Sequence, residues 1–441
     1  MMYVQYPDLD RNEQLSGLQP LDLNALNACC GTNLSGADAA LAVHHYSVET
    51  LLGQLVVRLA LTNGEPRTLN LRTGQWLDTW SHETLDAVAR QYAQARSWTP
   101  PLASAVVERD QWTVQSGFDP HRPLLKFTNA DGLQWYVSNR TAEVVQATST
   151  RERFWNWLGS VIHWIYPTVL REHPAIWAQT VIWLAIVSLF LTVTGLLIGI
   201  RQFTTRTTPR RSPYRGWTLW HHYIGLIFGA LTLTWLVSGI FSLSPWGALE
   251  GRGFGAEADA LNGVNAPLQE VVATIASLAK LPEGTRRLSS AYWLGRPYFL
   301  AWNDRGIAKR LSTDGIAESI TLSDVQLAAA TIRDDAAELT TLNSADGYYY
   351  SHHDTREFPV YLISYADGER YYLNELSGEL TLALDSNRRW SRWVFEALHR
   401  GDFHAVVRMR PVWDVLMLFA LLGVTAGATT GTYLAVKHLT K

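Results

Sequence analysis

Two histidines occupy the same place in a stretch of this chain that occurs twice. At a constant offset of 236, residues 130–200 align without a gap on residues 366–436, and His163 falls on His399. Twelve identities hold the register, among them Asp131/Asp367, Gly132/Gly368, Tyr136/Tyr372, Arg153/Arg389, Trp157/Trp393, Trp177/Trp413 and Thr194-Gly195/Thr430-Gly431. Both copies run strand, turn, His-bearing helix, apolar run. Duplicated units of this kind build pseudo-symmetric membrane proteins whose site lies at the repeat interface. Equivalent residues then approach each other across the axis. His163 and His399 are therefore expected to supply the two axial ligands of one metal centre, a b-type haem being the group that fits best. The competing reading is a pair of interfacial histidines carried along by duplication.

A second centre is expected at His221. It shares one helix face with Gly225 and Gly229, at spacings of four, which leaves room for a flat macrocycle; His222, about 100° away, is the fallback ligand. Ionisable groups inside spans are more often functional than decorative. Arg153 and Arg389 are candidates to grip haem propionates, since guanidinium binds carboxylate in a bidentate way, or else to anchor headgroups. His404 is an alternative to His399. His352 and His353, in a loop beside three tyrosines, are candidates to contact substrate or iron but read first as surface histidines in a turn, and His44 and His45 are similar. No His-x-x-x-His or Cys-x-x-Cys-His pattern occurs and Glu-x-x-His occurs once, at Glu396–His399, which disfavours a zinc protease, covalently attached haem and a di-iron bundle, whose site takes that motif from two helices.

These residues need a membrane to hold them. Three apolar runs of about 20 residues or more, the length that crosses the hydrocarbon, fall at 176–200, 217–245 and 412–436. Many of the nineteen tryptophans cluster beside them, as suits the bilayer interface. The 201–216 loop carries Arg201, Arg206, Arg210, Arg211 and Arg215 with no acid. That loop and the 437–441 tail are expected on the cytoplasmic side. Residues 1–150 and 246–386 then form two outer domains, each followed by an aromatic, interfacial amphipathic helix, at 151–175 and 387–411. The first copy lacks the opening span that the second has, so a fourth, N-terminal span is expected to be missing from this sequence. The fold class is an α+β membrane protein with a duplicated arrangement.

In the outer regions Gln54–Leu61 alternates as a strand, and Leu124–Thr128, Leu133–Ser138, Arg296–Asn303, Ala308–Ser312, Val360–Tyr365 and Arg370–Asn374 read as strands paired about turns, with helices over Ser81–Ala95, Leu268–Ala279 and Ser323–Ile332. Gly251–Gly255, GRGFG, reads as a flexible linker, because no strand precedes it. The two cysteines, Cys29 and Cys30, are adjacent and so are not expected to bridge. The net charge of −3 gives no reason to expect nucleic acid as a partner.

WHHYIGL at Trp220–Leu226, YYYSHHD at Tyr348–Asp354, FPVYLISYADGERYYLNELSGEL at Phe358–Leu380 and the Thr-Gly near each exit span resemble the PepSY-associated transmembrane family. The resemblance covers nearly the whole chain. It implies PepSY-like outer domains in the periplasm and a multi-pass protein of the bacterial inner membrane. For some members it implies reductases that pass electrons through one or two b-type haems to ferric siderophores. The family pattern opens with a span bearing His-x-x-x-Gly, which this chain lacks, so a partner ligand for His221 is absent from the sequence. The expected partners are the lipid bilayer, a periplasmic acceptor such as a ferric siderophore, and an electron donor that the sequence does not name. The alternative is a non-enzymatic membrane-anchored protein that binds or restrains an envelope peptidase. A transporter is weaker still, because the spans show no proline break.

Overall fold

The structure, a computed structural model, describes residues 6–29, 34, 36–204, 212–263, 265–352 and 355–440. The first half carries β1 (Ala42–Leu51), β2 (Gln54–Leu61) and β3 (Pro66–Asn70), then a helix at His82–Ala95, then β4 (Ala103–Val107), β5 (Leu124–Thr128), β6 (Gln134–Ser138) and β7 (Val144–Thr148). The second half carries the short β8 (Ala266–Pro267), a helix at Leu268–Ala276, and β9 (Thr285–Trp293), β10 (Arg296–Asn303) and β11 (Ala308–Leu311). A helix at Leu322–Ile332 follows, then β12 (Ala337–Leu342), β13 (Val360–Tyr365), β14 (Arg370–Asn374) and β15 (Leu380–Leu384). Ser81 and Thr321 cap the two helices that follow β3 and β11, each accepting an otherwise orphaned backbone N–H.

Two four-stranded antiparallel sheets, β4-β5-β6-β7 and β12-β13-β14-β15, share strand order. Their register shifts fall at matching places, Tyr136/Val137 and Tyr372/Leu373. In each, a buried tyrosine hydroxyl donates to an aspartate: Tyr136 to Asp110 and Tyr372 to Asp346, both at 2.7 Å.

The remaining strands join in one sheet, ordered β11-β10-β9-β1-β2-β3, with β8 on β1. Each half thus donates strands to a common sheet, which ties the stretches at 1–150 and 246–386 together. At the junction Ser47 pairs with Ser289, and Glu49 with Arg287. The Glu49 carboxylate is fully buried and accepts from Arg287 Nε and Nη2 (3.1 and 2.9 Å) and from Arg58 Nε. Glu143 stands beside both arginines. Burial alone would push the Glu143 carboxyl up, but Arg58 and Arg287 hold it below the usual range.

Three helices are long and apolar enough to cross a membrane: Pro174–Phe203, Trp217–Phe241 and Val412–Leu439. The second packs against both others. Gly423, Gly427 and Gly431 of the third face Phe228, Ile224 and His221 of the second, so that glycine row is a helix contact, as its spacing predicts. Gly199 of the first span meets Leu226 and His222, whereas Gly195 faces open space. Cys29 is disulfide-bonded, against the expectation of unbridged cysteines; Cys30 lies outside the described residues. The GRGFG stretch is pinned rather than flexible: Arg252 reaches Glu257, Glu369 and the Tyr371 hydroxyl, and its N–H donates to Asp385.

Candidate functional site

The two His-bearing segments are built alike. Thr150–Asn156 opens with a capping box from Ser149 and Glu152 and passes into a π-helical turn at Trp157–Val161, two residues short of His163. Ser386–Ser391 opens on an Asp385 cap and passes into a π-helical turn at Arg392–Ala397, two residues short of His399. Such π-turns widen a helix locally and often mark functional sites. An indole near the start of the following span closes each segment. Trp177 Nε1 donates to the Trp164 carbonyl at 2.9 Å, and Trp413 Nε1 to the Arg400 carbonyl at 2.7 Å.

This construction brings His163 and His399 together. Their ring centroids lie 5.8 Å apart with planes inclined at 38°. His399 rests on the C-terminal end of the second span, where Ser238 Oγ lies 3.1 Å from its Nδ1. Ser238 gives its own proton to the Trp235 carbonyl, so it accepts from His399 Nδ1–H. A hydroxyl has one proton to give. That assignment leaves the lone pair on His399 Nε2. Phe395 stacks on the same ring at 5.2 Å, and Gly239 removes bulk beside it.

Burial pushes the His399 pKa down to about 4, with the nearby His163 adding to it. The imidazole is thus neutral at pH 7, as a metal ligand must be. The folded value lies below the unfolded one of about 6.5. The stability His399 contributes is therefore complete above that pH and is lost as pH falls from about 6.5 toward 4. Thermal unfolding of the detergent-solubilised chain should show this fall, and His399→Gln should flatten it. Identical pH slopes in the two proteins would count against it.

His221 is arranged like His399. Its Nδ1 lies 3.1 Å from Thr430 Oγ1, whose proton goes to the Ala426 carbonyl. Nδ1–H therefore donates, and Nε2 carries the lone pair. The expected common face with Gly225 and Gly229 is not one contact surface: Gly229 lies under Leu196 of the first span, and Gly225 faces open space.

His222 is committed elsewhere. Its Nε2 donates to the Gly199 carbonyl at 2.9 Å and its Nδ1 takes Ser212 Oγ at 2.7 Å. Neither ring nitrogen is left for a metal, and the fallback assignment does not survive this geometry. Arg153 is likewise spent, on the Gly132 and Thr148 carbonyls (2.6 and 2.9 Å), where it ties the helix to the hairpin turn. Arg389 lies against the equivalent Gly368. Arg153 therefore docks the hairpin turn, and Arg389 stands at the equivalent turn. His404 caps a short helix by accepting from the Val406 N–H. His44 faces Asn265 and His45 faces Ser290. Among the described residues no cluster of three or more His, Cys, Asp or Glu is placed to hold a metal.

His352 departs from expectation most. Its side chain is only 4% exposed, with Nδ1 2.6 Å from Asp402 and its ring edge-on to Trp413. It is a buried group and not a surface histidine. His353 lies outside the described residues.

The family model for the PepSY-associated TM region matches residues 39–438. The chain belongs to this family. No curated protein and no solved structure matches it. As a PepSY-associated transmembrane protein it combines three candidate spans with a mixed α and β portion, and its His163–His399 pair sits where the two kinds of structure meet.

Proposed function

We propose that this PepSY-associated transmembrane protein is a haem-binding oxidoreductase of the bacterial inner membrane that passes electrons to a periplasmic acceptor, a ferric siderophore. The approach of His163 and His399 carries the reading. Their ring centroids lie 5.8 Å apart, close enough that both imidazoles would hold one haem iron between them. Ligating histidines usually engage their other ring nitrogen to fix the tautomer. Ser238 does so for His399, and Thr430 does so for His221.

The halves are read as a duplicated pair about an approximate two-fold. Ser47 and Ser289 occupy equivalent places in β1 and β9, six residues before the Gly53 and Gly295 turns, and they pair with each other. His163 and His399 are a second pair of equivalents that meet. The arginine-rich 201–216 loop would face the cytoplasm, placing the sheets and this histidine pair on the periplasmic side. Arg206, Arg210 and Arg211 of that loop lie outside the described residues. His221 would hold a second haem toward the cytoplasmic end.

Haem, when bound, supplies one-electron chemistry. The chain's own residues bind and orient it, keep both imidazoles neutral and exclude competing protons from Nε2. Reduction suits release of iron from a siderophore, whose hard oxygen ligands grip the ferric ion far more strongly than the ferrous ion. Haem content tests the proposal: full-length protein expressed with a haem supply is expected to carry one or two b-type haems per chain. Well-folded protein with none would overturn it.

A further inference from the structure

The two halves differ in what fills the space beneath their four-stranded sheets. Where the first half fills the space beneath its sheet with Tyr6, Trp112, Trp164 and Tyr166, ring against ring at 5.6–6.3 Å, the second half keeps a cavity of about 220 Å³. At the offset of 236, Asn156, Ser160, Trp164 and Tyr166 give way to Arg392, Glu396, Arg400 and Asp402. All four line the cavity, together with Arg356 and Arg388. Four guanidiniums thus face two carboxylates, a surplus of two positive charges.

One of the arginines has capacity to spare. Arg392 is 93% buried, since only 7% of it is exposed. Its Nε donates to the Gly347 carbonyl at 3.1 Å and its Nη2 to the Asp402 carbonyl at 2.6 Å. Nη1 is buried with no hydrogen-bond partner. A buried charged donor left unmet is costly, and such a group in a native fold calls for an explanation. The two acids do not supply one. Glu396 is engaged by Arg400 at 2.9 Å and is pushed toward its neutral form chiefly by burial. Asp402 is held by His352 and by the Tyr350 hydroxyl.

We infer that this cavity is a binding site for an oxyanion, a phosphate or carboxylate group received by Arg392 with Arg356 and Arg400 around it. Guanidinium is the side chain best suited to both groups, because its planar N–H fork matches their paired oxygens. The His352–Asp402 pair and Tyr350 line the same cavity, and Asp402 holds Arg392 through its backbone carbonyl. The source of the group is a free anion or a phospholipid headgroup, since Trp390 and Trp393 on the same segment are exposed apolar residues of the kind that sit at a bilayer interface. The site does not depend on the haem reading.

The test uses the full chain in detergent and phosphate-free buffer. Bound phospholipid phosphorus is measured first, and inorganic phosphate and succinate are then titrated by calorimetry. Wild-type protein is expected either to retain about one phospholipid per chain or to bind one of the two anions saturably at a single site. Arg392→Gln and Arg356→Gln should each weaken this by about tenfold or more, the loss expected for a charge-assisted hydrogen bond. Arg356→Gln matters because, among the described residues, the Arg356 guanidinium lies over the Tyr349 ring and makes no hydrogen bond. Absence of both retained phospholipid and saturable binding, or binding unchanged in both variants, would overturn the inference. So would loss of haem in the variants with no change in anion binding, which would point to a propionate clamp. Unchanged haem content keeps this result separate from that of the haem reading.

Discussion

Glu49→Ala is expected to destabilise the protein by about 3–5 kcal/mol, the penalty for stranding buried charges when one member of an ion network is removed. The carboxylate is fully buried at the junction of β1 and β9 and takes donors from Arg58 in β2 and Arg287 in β9. Without it, two guanidiniums remain in the interior with Glu143 as the carboxylate beside them, at 3.4 and 3.7 Å. The consequence exceeds local softening, because β1 and β9 are where the two halves become one sheet. Chemical denaturation followed by tryptophan fluorescence would measure it. Glu49→Gln should cost less, since the amide oxygen still accepts from one arginine. A loss below about 1 kcal/mol, the scale of an exposed pair, would show that the junction does not rely on this network.

The second large effect concerns the histidine pair. On the proposed reading, His163→Ala and His399→Ala should each abolish the low-spin, two-imidazole spectrum of the haem near the sheets. His221→Ala should remove the other haem and leave this one. Ser238→Ala keeps the ligand and loses only the group that fixes its tautomer. Its expected cost is about 10–100-fold in haem affinity, a graded result that general misfolding would not produce. His222→Leu should leave both spectra in place, since neither nitrogen of His222 is available. Equal haem content in wild type and in all of these variants would refute the assignment.

What the sequence revealed follows from where its charges are paired. Strands β2, β5, β6, β10, β13 and β14 are apolar runs bounded by turn residues and are legible, as are the capped helices and the three spans. The central strands β1 and β9 were not. AVHHYSVETL and TRRLSSAYW carry histidines, a glutamate and arginines, which read as polar surface. They lie in the middle of the sheet because their charges satisfy one another across the junction, a tertiary fact that periodicity does not carry. The approach of His163 to His399 was legible from the repeat register alone. The hydrogen bonds that remove His222 and Arg153 from the site were not, because each depends on a backbone carbonyl brought from another element. The cavity around Arg392 left a trace that was missed. Charged residues at 392, 396, 400 and 402 replace neutral ones at 156, 160, 164 and 166, a departure between copies that conserved identities do not reveal.

The measurement closest to the central claim is electron transfer itself. The detergent-purified chain would be reduced anaerobically with dithionite, freed of excess reductant and mixed with a ferric hydroxamate siderophore in the presence of a ferrous-specific chelator. The account predicts sharp α and β bands on reduction, their decay on mixing, and the appearance of chelated ferrous iron in step, all absent in His399→Ala. A haem-loaded protein whose reduced bands persist unchanged in the presence of the siderophore would contradict it.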